Sequence, residues 1–113
     1  MRLRDLDAHF IGKAKIEEED VRSYERLPGI EGAQGIMFQC PKCAGTSGHY
    51  VICWFATPVN APRVPDKVNP GPGRWNPQGF SIDDLTFVPP GAVSVQLLGG
   101  CNWHGFVKNG DAS

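Results

Sequence analysis

Apolar positions along the chain come in short bursts separated by turn residues. Residues 3–16 alternate loosely, with Ala8, Phe10, Gly12, Ala14 and Ile16 on one face and His9, Ile11, Lys13 and Lys15 on the other. That period of two predicts a strand over part of the segment. Residues 17–27 (EEEDVRSYERL) place Val21, Tyr24 and Leu27 at helical spacing, with acids leading and an arginine late. This predicts a short helix ended by Pro28-Gly29, with an exposed loop as the alternative. The run 35–39 (GIMFQ) predicts a strand leading into Cys40. The run 49–57 (HYVICWFAT) is rich in β-branched and aromatic residues and gives the strongest strand signal in the chain. Together the two runs predict a hairpin with Cys40-Pro41-Lys42-Cys43 at its tip. Residues 80–88 and 92–98 read as further short strands, and residues 106–110 as a last strand and turn.

Between these runs lies a Pro/Gly/Asn-rich stretch at 58–79, whose six prolines forbid a helix or a central strand. Arg74-Trp75 sits within this loop and is expected to hold it down. The expected fold is mainly β, a small β-rich α+β domain. It has short antiparallel strands, two zinc knuckles and one short N-terminal helix. A single domain spanning 1–113 suits 113 residues.

Charge narrows the range of partners. The net charge is −1, with 11 basic and 12 acidic side chains, so no global excess attracts nucleic acid or an acidic membrane. Residues 1–31 hold six of the basic and eight of the acidic side chains, leaving the rest of the chain nearly neutral. No apolar run reaches the length of a membrane span, and Met1-Arg2-Leu3-Arg4-Asp5 runs into charged sequence rather than the apolar core of a signal peptide. The expected compartment is the cytoplasm, where thiols stay reduced.

In that setting four cysteines suggest a metal. Cys40-Pro41-Lys42-Cys43 is a C-x2-C pair, and Cys101-Asn102-Trp103-His104 is a C-x2-H pair. A tight turn brings residues i and i+3 to one side, so two such turns supply the four donors of a tetrahedral Zn2+ site. Pro41 pre-sets the first turn, and Gly105 follows the second. Cys40, Cys43, Cys101 and His104 are therefore the expected ligands. Fifty-seven residues separate Cys43 from Cys101, so the fold must bring the pairs together. Loop-closure entropy grows slowly enough with length to allow this. His49, six residues past Cys43, is an alternative ligand or a group bonded to one. Cys53 reads as a buried apolar residue in its strand.

A filled four-ligand set leaves no open position for water, and neither H-E-x-x-H nor the deaminase pattern is present. Asp83-Asp84 reads as a solvated turn rather than a catalytic pair. A thiol redox role for CPKC would need a helix N-terminus after the first cysteine, but AGTSG and a strand follow.

The stretches GIMFQCPKC (35–43), GRW (73–75), SIDDLTFVP (81–89) and CNWHGFVKNG (101–110) resemble a family of small proteins frequent in bacteriophages and prophages. Members often carry the label "ammonia monooxygenase", which names a copper membrane enzyme. The matching stretches span about two thirds of the chain, and the last is the most specific. Members tend to have Pro-Ser after the D-L-T segment, where this chain has Pro89-Pro90-Gly91. The resemblance implies a phage-encoded, β-rich, zinc-bound fold and no known activity. The first functional expectation is therefore a zinc-stabilised module that binds a host or phage protein, with Arg74, Trp75, Trp103 and Lys42 as a candidate interaction surface, although a cover for the thin core beside the zinc is the favoured reading of the two tryptophans. Nucleic-acid binding through Lys42, Arg63, Lys67, Arg74 and Lys108, with Trp103 for stacking, is the alternative. A hydrolase using His49, Asp83 or Asp84 and a thiol redox protein rank below both.

Overall fold

The computed structural model describes residues 1–44, 49–71, 73–97 and 102–113. Strands β1 (His9–Glu17), β2 (Asp20–Leu27), β3 (Gly35–Gln39) and β4 (Tyr50–Trp54) form one antiparallel sheet in the order β2-β1-β3-β4. Two smaller antiparallel units follow. One pairs β5 (Asn76–Gln78) with β6 (Thr86–Val88). The other is a meander of β7 (Ser94–Gln96), β8 (His104–Lys108) and β9 (Asp111–Ala112). The only helical element among the described residues is a three-residue 3-10 turn at Leu3–Asp5.

The hairpin expected from 35–39 and 49–57 forms, with Gly35 opposite Trp54 and Gln39 opposite Tyr50. The helix expected over 17–27 does not; that segment is the hairpin turn and strand β2. The acidic run supplies the turn, with Glu18 at φ 59° and Glu17 paired with Asp20. An isolated helix of this length is marginal in water, whereas pairing with β1 satisfies the same backbone groups. The helical spacing of Val21 and Tyr24 has another origin. The register shifts between Gly12 and Ile16, and the resulting bulges let residues three apart face the same way. The bulge also frees the Ala14 N–H, which donates to the Gln34 side chain at 2.8 Å, and Gln34 in turn donates to the Pro62 carbonyl.

The large sheet is covered on both faces. One face carries Phe10, Ile36, Phe38, Val51, Cys53 and Phe55, packed under Leu85, Phe87, Val95, Trp103 and Val107 from the smaller units. The other carries Ile11, Met37 and Trp54 beneath Val64 and Val68 of the proline-rich segment. Burial on both faces explains why β3 reads as a continuous apolar run instead of alternating. Gly35 is required where β3 meets β4, because a Cβ there would lie 2.6 Å from the Cys53 carbonyl and 2.9 Å from the Trp54 ring.

The 58–79 stretch is a structured cover with a polar centre. Arg74 is 5% exposed. Its guanidinium donates to the carbonyls of Val64 (3.1 Å), Val68 (2.9 Å), Pro70 (3.0 Å), Gly73 (2.7 Å) and Pro65. The loop's carbonyls have few amide partners because its prolines have no N–H, and one side chain replaces them. Next to it Trp75 joins the edge of the large sheet, its N–H donating to Trp54 and its carbonyl accepting from Ala56. The expected strand over 80–88 is reduced to Thr86–Val88. Ahead of it, the Asp84 carboxylate accepts from the backbone N–H groups of Phe80 (2.9 Å) and Ser81 (2.8 Å), closing a turn. That bears out the reading of Asp83-Asp84 as a turn. No helix among the described residues is long and apolar enough to cross a membrane.

Candidate metal centre

The first cysteine pair sits where the β3–β4 hairpin ends. The ladder runs one rung past β3, with the Cys40 N–H donating to the His49 carbonyl at 2.9 Å. The chain then folds back on itself, and the Cys43 N–H donates to the Cys40 carbonyl at 3.1 Å. That i to i+3 bond, with Pro41 at its second position, is what brings the two thiols to one side. Residues opposite each other on an antiparallel rung share a face, so His49 is brought to the same place.

The sulfur atoms of Cys40 and Cys43 and a ring nitrogen of His49 all lie within 4.8 Å of one another. Bonds of about 2.0–2.3 Å to a tetrahedral ion set its donors about 3.3–3.8 Å apart, so the three are close enough to hold one metal ion. Two thiols with one imidazole are a donor set that suits zinc and other borderline-soft ions better than calcium or magnesium. Cys40 is fully buried, Cys43 half-buried and His49 exposed, so the cluster grades from the core to the surface. Among the described residues no other group of three His, Cys, Asp or Glu side chains is so arranged.

The second pair is only partly on view. Cys101 lies outside the described residues. His104 opens β8 on the rung opposite Gln96, is exposed, and has its ring centroid 6.2 Å from that of Phe106. It is not one of the three clustered donors. His49, expected only as an alternative ligand or a group bonded to one, takes a place in the cluster instead. Trp103, between Cys101 and His104, does reach the tip end of the hairpin. Its ring stands edge-on to Phe38 at 6.1 Å, and its carbonyl accepts from Leu97 N–H at 2.8 Å. Residues flanking the second pair thus pack into the same cluster of side chains as Cys40, with Cys43 against it.

The candidate interaction surface needs correction at Arg74, while Trp103 takes the core-covering place favoured for it. Arg74 is buried among carbonyls and Trp103, 7% exposed, is buried on Phe38, so neither is presented to a partner. Trp75 is half-buried, stacked on Phe87 at 5.7 Å with its indole N–H donating to Ser94. Lys42 alone of the four is exposed, at the hairpin tip beside the thiols.

Two further features bear on chemistry. Cys53 is a free thiol wholly inside the sheet, and burial pushes its pKa far up, which removes it as a nucleophile. At the surface, the Tyr50 hydroxyl donates to Asp7, whose other oxygen lies 2.9 Å from the His9 ring. The Tyr50 hydrogen bond, then that of His9, holds the Asp7 carboxyl below its usual value, and the same bond raises Tyr50. This tether between the N-terminal turn and β4 was not visible in the sequence, where His9 has no motif around it. No family model, curated protein or solved structure matches the chain.

Proposed function

We propose that this chain is a small zinc-binding protein of the phage type, in which one structural Zn2+ ion fixes the hairpin tip and the protein acts by binding a host or phage protein in the reducing cytoplasm. The observation that carries the metal reading is the convergence of Cys40, Cys43 and His49 on one point at the end of the β3–β4 hairpin. Cys101 is the fourth donor in this reading, a Cys3His set in which His49 takes the role the sequence gave to His104. The packing of Trp103 on Phe38 and the Leu97–Trp103 hydrogen bond support it, because both draw the second pair toward the tip.

Such an ion would neutralise two thiolates and fasten one end of the large sheet to the β7–β8 connection. It would serve as a cross-link for a chain too short to rely on its core alone. Protein binding is favoured over nucleic acid by the fate of the basic side chains. Arg74 is consumed by carbonyls, and Arg63 is paired with Asp66 at 2.7 Å. The other three of the five, Lys42, Lys67 and Lys108, are too few for a phosphate-tracking surface.

Elemental analysis of untagged protein tests the metal reading. One zinc per chain is expected in the parent, with loss of zinc in Cys40→Ser and in Cys101→Ser. A parent free of every transition metal, folded and with all four thiols titratable, would overturn it.

A further inference from the structure

We propose that the gap between the outer edges of β4 and β7 is a docking slot for an extended peptide of the partner protein, which adds to both edges as a strand. The inference rests on the protein-binding reading above and names its surface.

Hydrogen-bond phase fixes which way the backbone of each edge points. Phe55 N–H donates to Gln34 and Cys40 N–H to His49, so residues 49, 51, 53 and 55 bond to β3. The amide and carbonyl of Ile52, in the alternate set, therefore face away from the sheet. In the meander, Leu97 N–H donates to Trp103, so Leu97 and Val95 bond to β8 and the backbone of Gln96 faces outward. Among the described residues none bonds to Ile52 or Gln96 on those sides.

Both residues point into one space. Two adjoining cavities, of about 740 and 260 Å³, share Ile52, Gln96, Leu97, Pro70 and Gly71 in their walls. The chain itself already pairs with the β4 edge beside the slot, and with the segment that leads into β7. Trp75 makes parallel bridges to Phe55 on one side and to Ala92 on the other. The bonds run from Trp75 N–H to Trp54 at 3.1 Å, from Ala56 N–H to Trp75 at 2.6 Å and from Ala92 N–H to Arg74 at 3.0 Å. At Gly71 and Gly73 the chain lines the cavities instead of continuing that pairing. A strand edge left in this state is a template for an incoming strand.

The walls specify the occupant. Val21, Tyr24, Trp54 and Leu97 make an apolar floor for one large side chain of the peptide. Asp20 is the only carboxylate in either wall among the described residues, no Lys or Arg lines them, and Glu18 and Glu19 precede it in the hairpin turn. The complementary ligand is an extended segment with an apolar residue and a lysine or arginine reaching the Asp20 end.

A display library of random linear peptides, selected on the zinc-loaded full chain, tests this. Enriched peptides should combine an apolar and a basic residue, and on binding should slow amide hydrogen exchange at Ile52 and Gln96. Ile52→Pro removes one edge donor at a position whose N–H makes no bond to β3, and should weaken binding about tenfold. Asp20→Lys, a surface change that leaves the fold intact, should weaken it about threefold or more and abolish the basic preference. The slot is overturned if no sequence is enriched, or if enriched peptides bind Asp20→Lys and Ile52→Pro as tightly as the parent. It is also overturned if the protected amides lie outside β4 and β7, an outcome that would leave the broader protein-binding reading standing.

Discussion

Cys40 and His49 face each other across the last rung of the β3–β4 hairpin, joined by a 2.9 Å bond from the cysteine amide to the histidine carbonyl. The rung makes His49 part of the donor cluster whatever the second pair contributes. His49→Ala should therefore weaken zinc binding more than His104→Ala does. Altering groups that only hydrogen-bond to ligands costs about 10–100-fold in affinity, so loss of a direct ligand should cost about 100-fold or more. Competition with a chromophoric chelator measures both variants, and equal loss in the two would place His104 on the metal beside His49.

Thiol reactivity separates the cysteines by position. Cys53 is buried in the sheet and its pKa is driven upward by burial, so it should resist alkylation in the native state with or without a chelator. Cys40 and Cys43 should become reactive once a chelator strips the ion. Peptide mapping after a pulse of iodoacetamide reads each site, and labelling of Cys53 before global unfolding would contradict the packing.

Arg74 should be the most sensitive charged residue in the chain. Replacing it with alanine leaves five carbonyls of the covering loop without their donor. A loss of about 1–3 kcal/mol is expected from urea unfolding, the usual cost of leaving buried acceptors without a donor. Arg74→Lys should recover only part of this, because three donors on a single nitrogen cannot span carbonyls arranged around a planar fork.

Acid should act through two surface carboxylates. Asp7 is held below its ordinary 3.8 by the Tyr50 hydroxyl and then His9, and Asp84 below the same value by the Ser81 and Phe80 amides. A group whose folded pKa is depressed adds stability that is complete above the unfolded value and fades as pH falls through the folded one. The melting temperature should thus drop as the pH falls below 3.8, and drop less in the Asp7→Asn, Asp84→Asn double variant. Carboxyl carbon shifts followed by NMR should titrate below 3.8 at both positions.

Much of this arrangement was readable along the chain. The β3–β4 hairpin follows from two β-branched and aromatic runs, and its register alone places residue 49 opposite residue 40. Counting rungs, rather than looking for paired motifs, would have promoted His49. The strand at β2 was hidden because bulges near Lys15 and Ile16 imitate helical spacing, and a bulge leaves no mark on residue type. Arg74 was placed in the loop correctly, but its charge argued for the surface. Its burial depends on carbonyls contributed by Val64, Pro65, Val68, Pro70 and Gly73, which no local pattern reveals.

The carbonyl cage around Arg74 has a consequence for how the molecule responds to its surroundings. A guanidinium ringed by oxygens plays the part that a bound cation plays in many loops, yet it is covalently attached and cannot dissociate. The cover over Trp54 is thus organised by an internal ion that no chelator can extract and no dilution can deplete. The hairpin tip, by contrast, has sulfur and nitrogen donors that could hold an ion from outside. If the tip holds zinc as proposed, one end of the protein is self-sufficient while the other is keyed to metal supply, and starvation for zinc would loosen the Cys40 end and leave the Arg74 end in place.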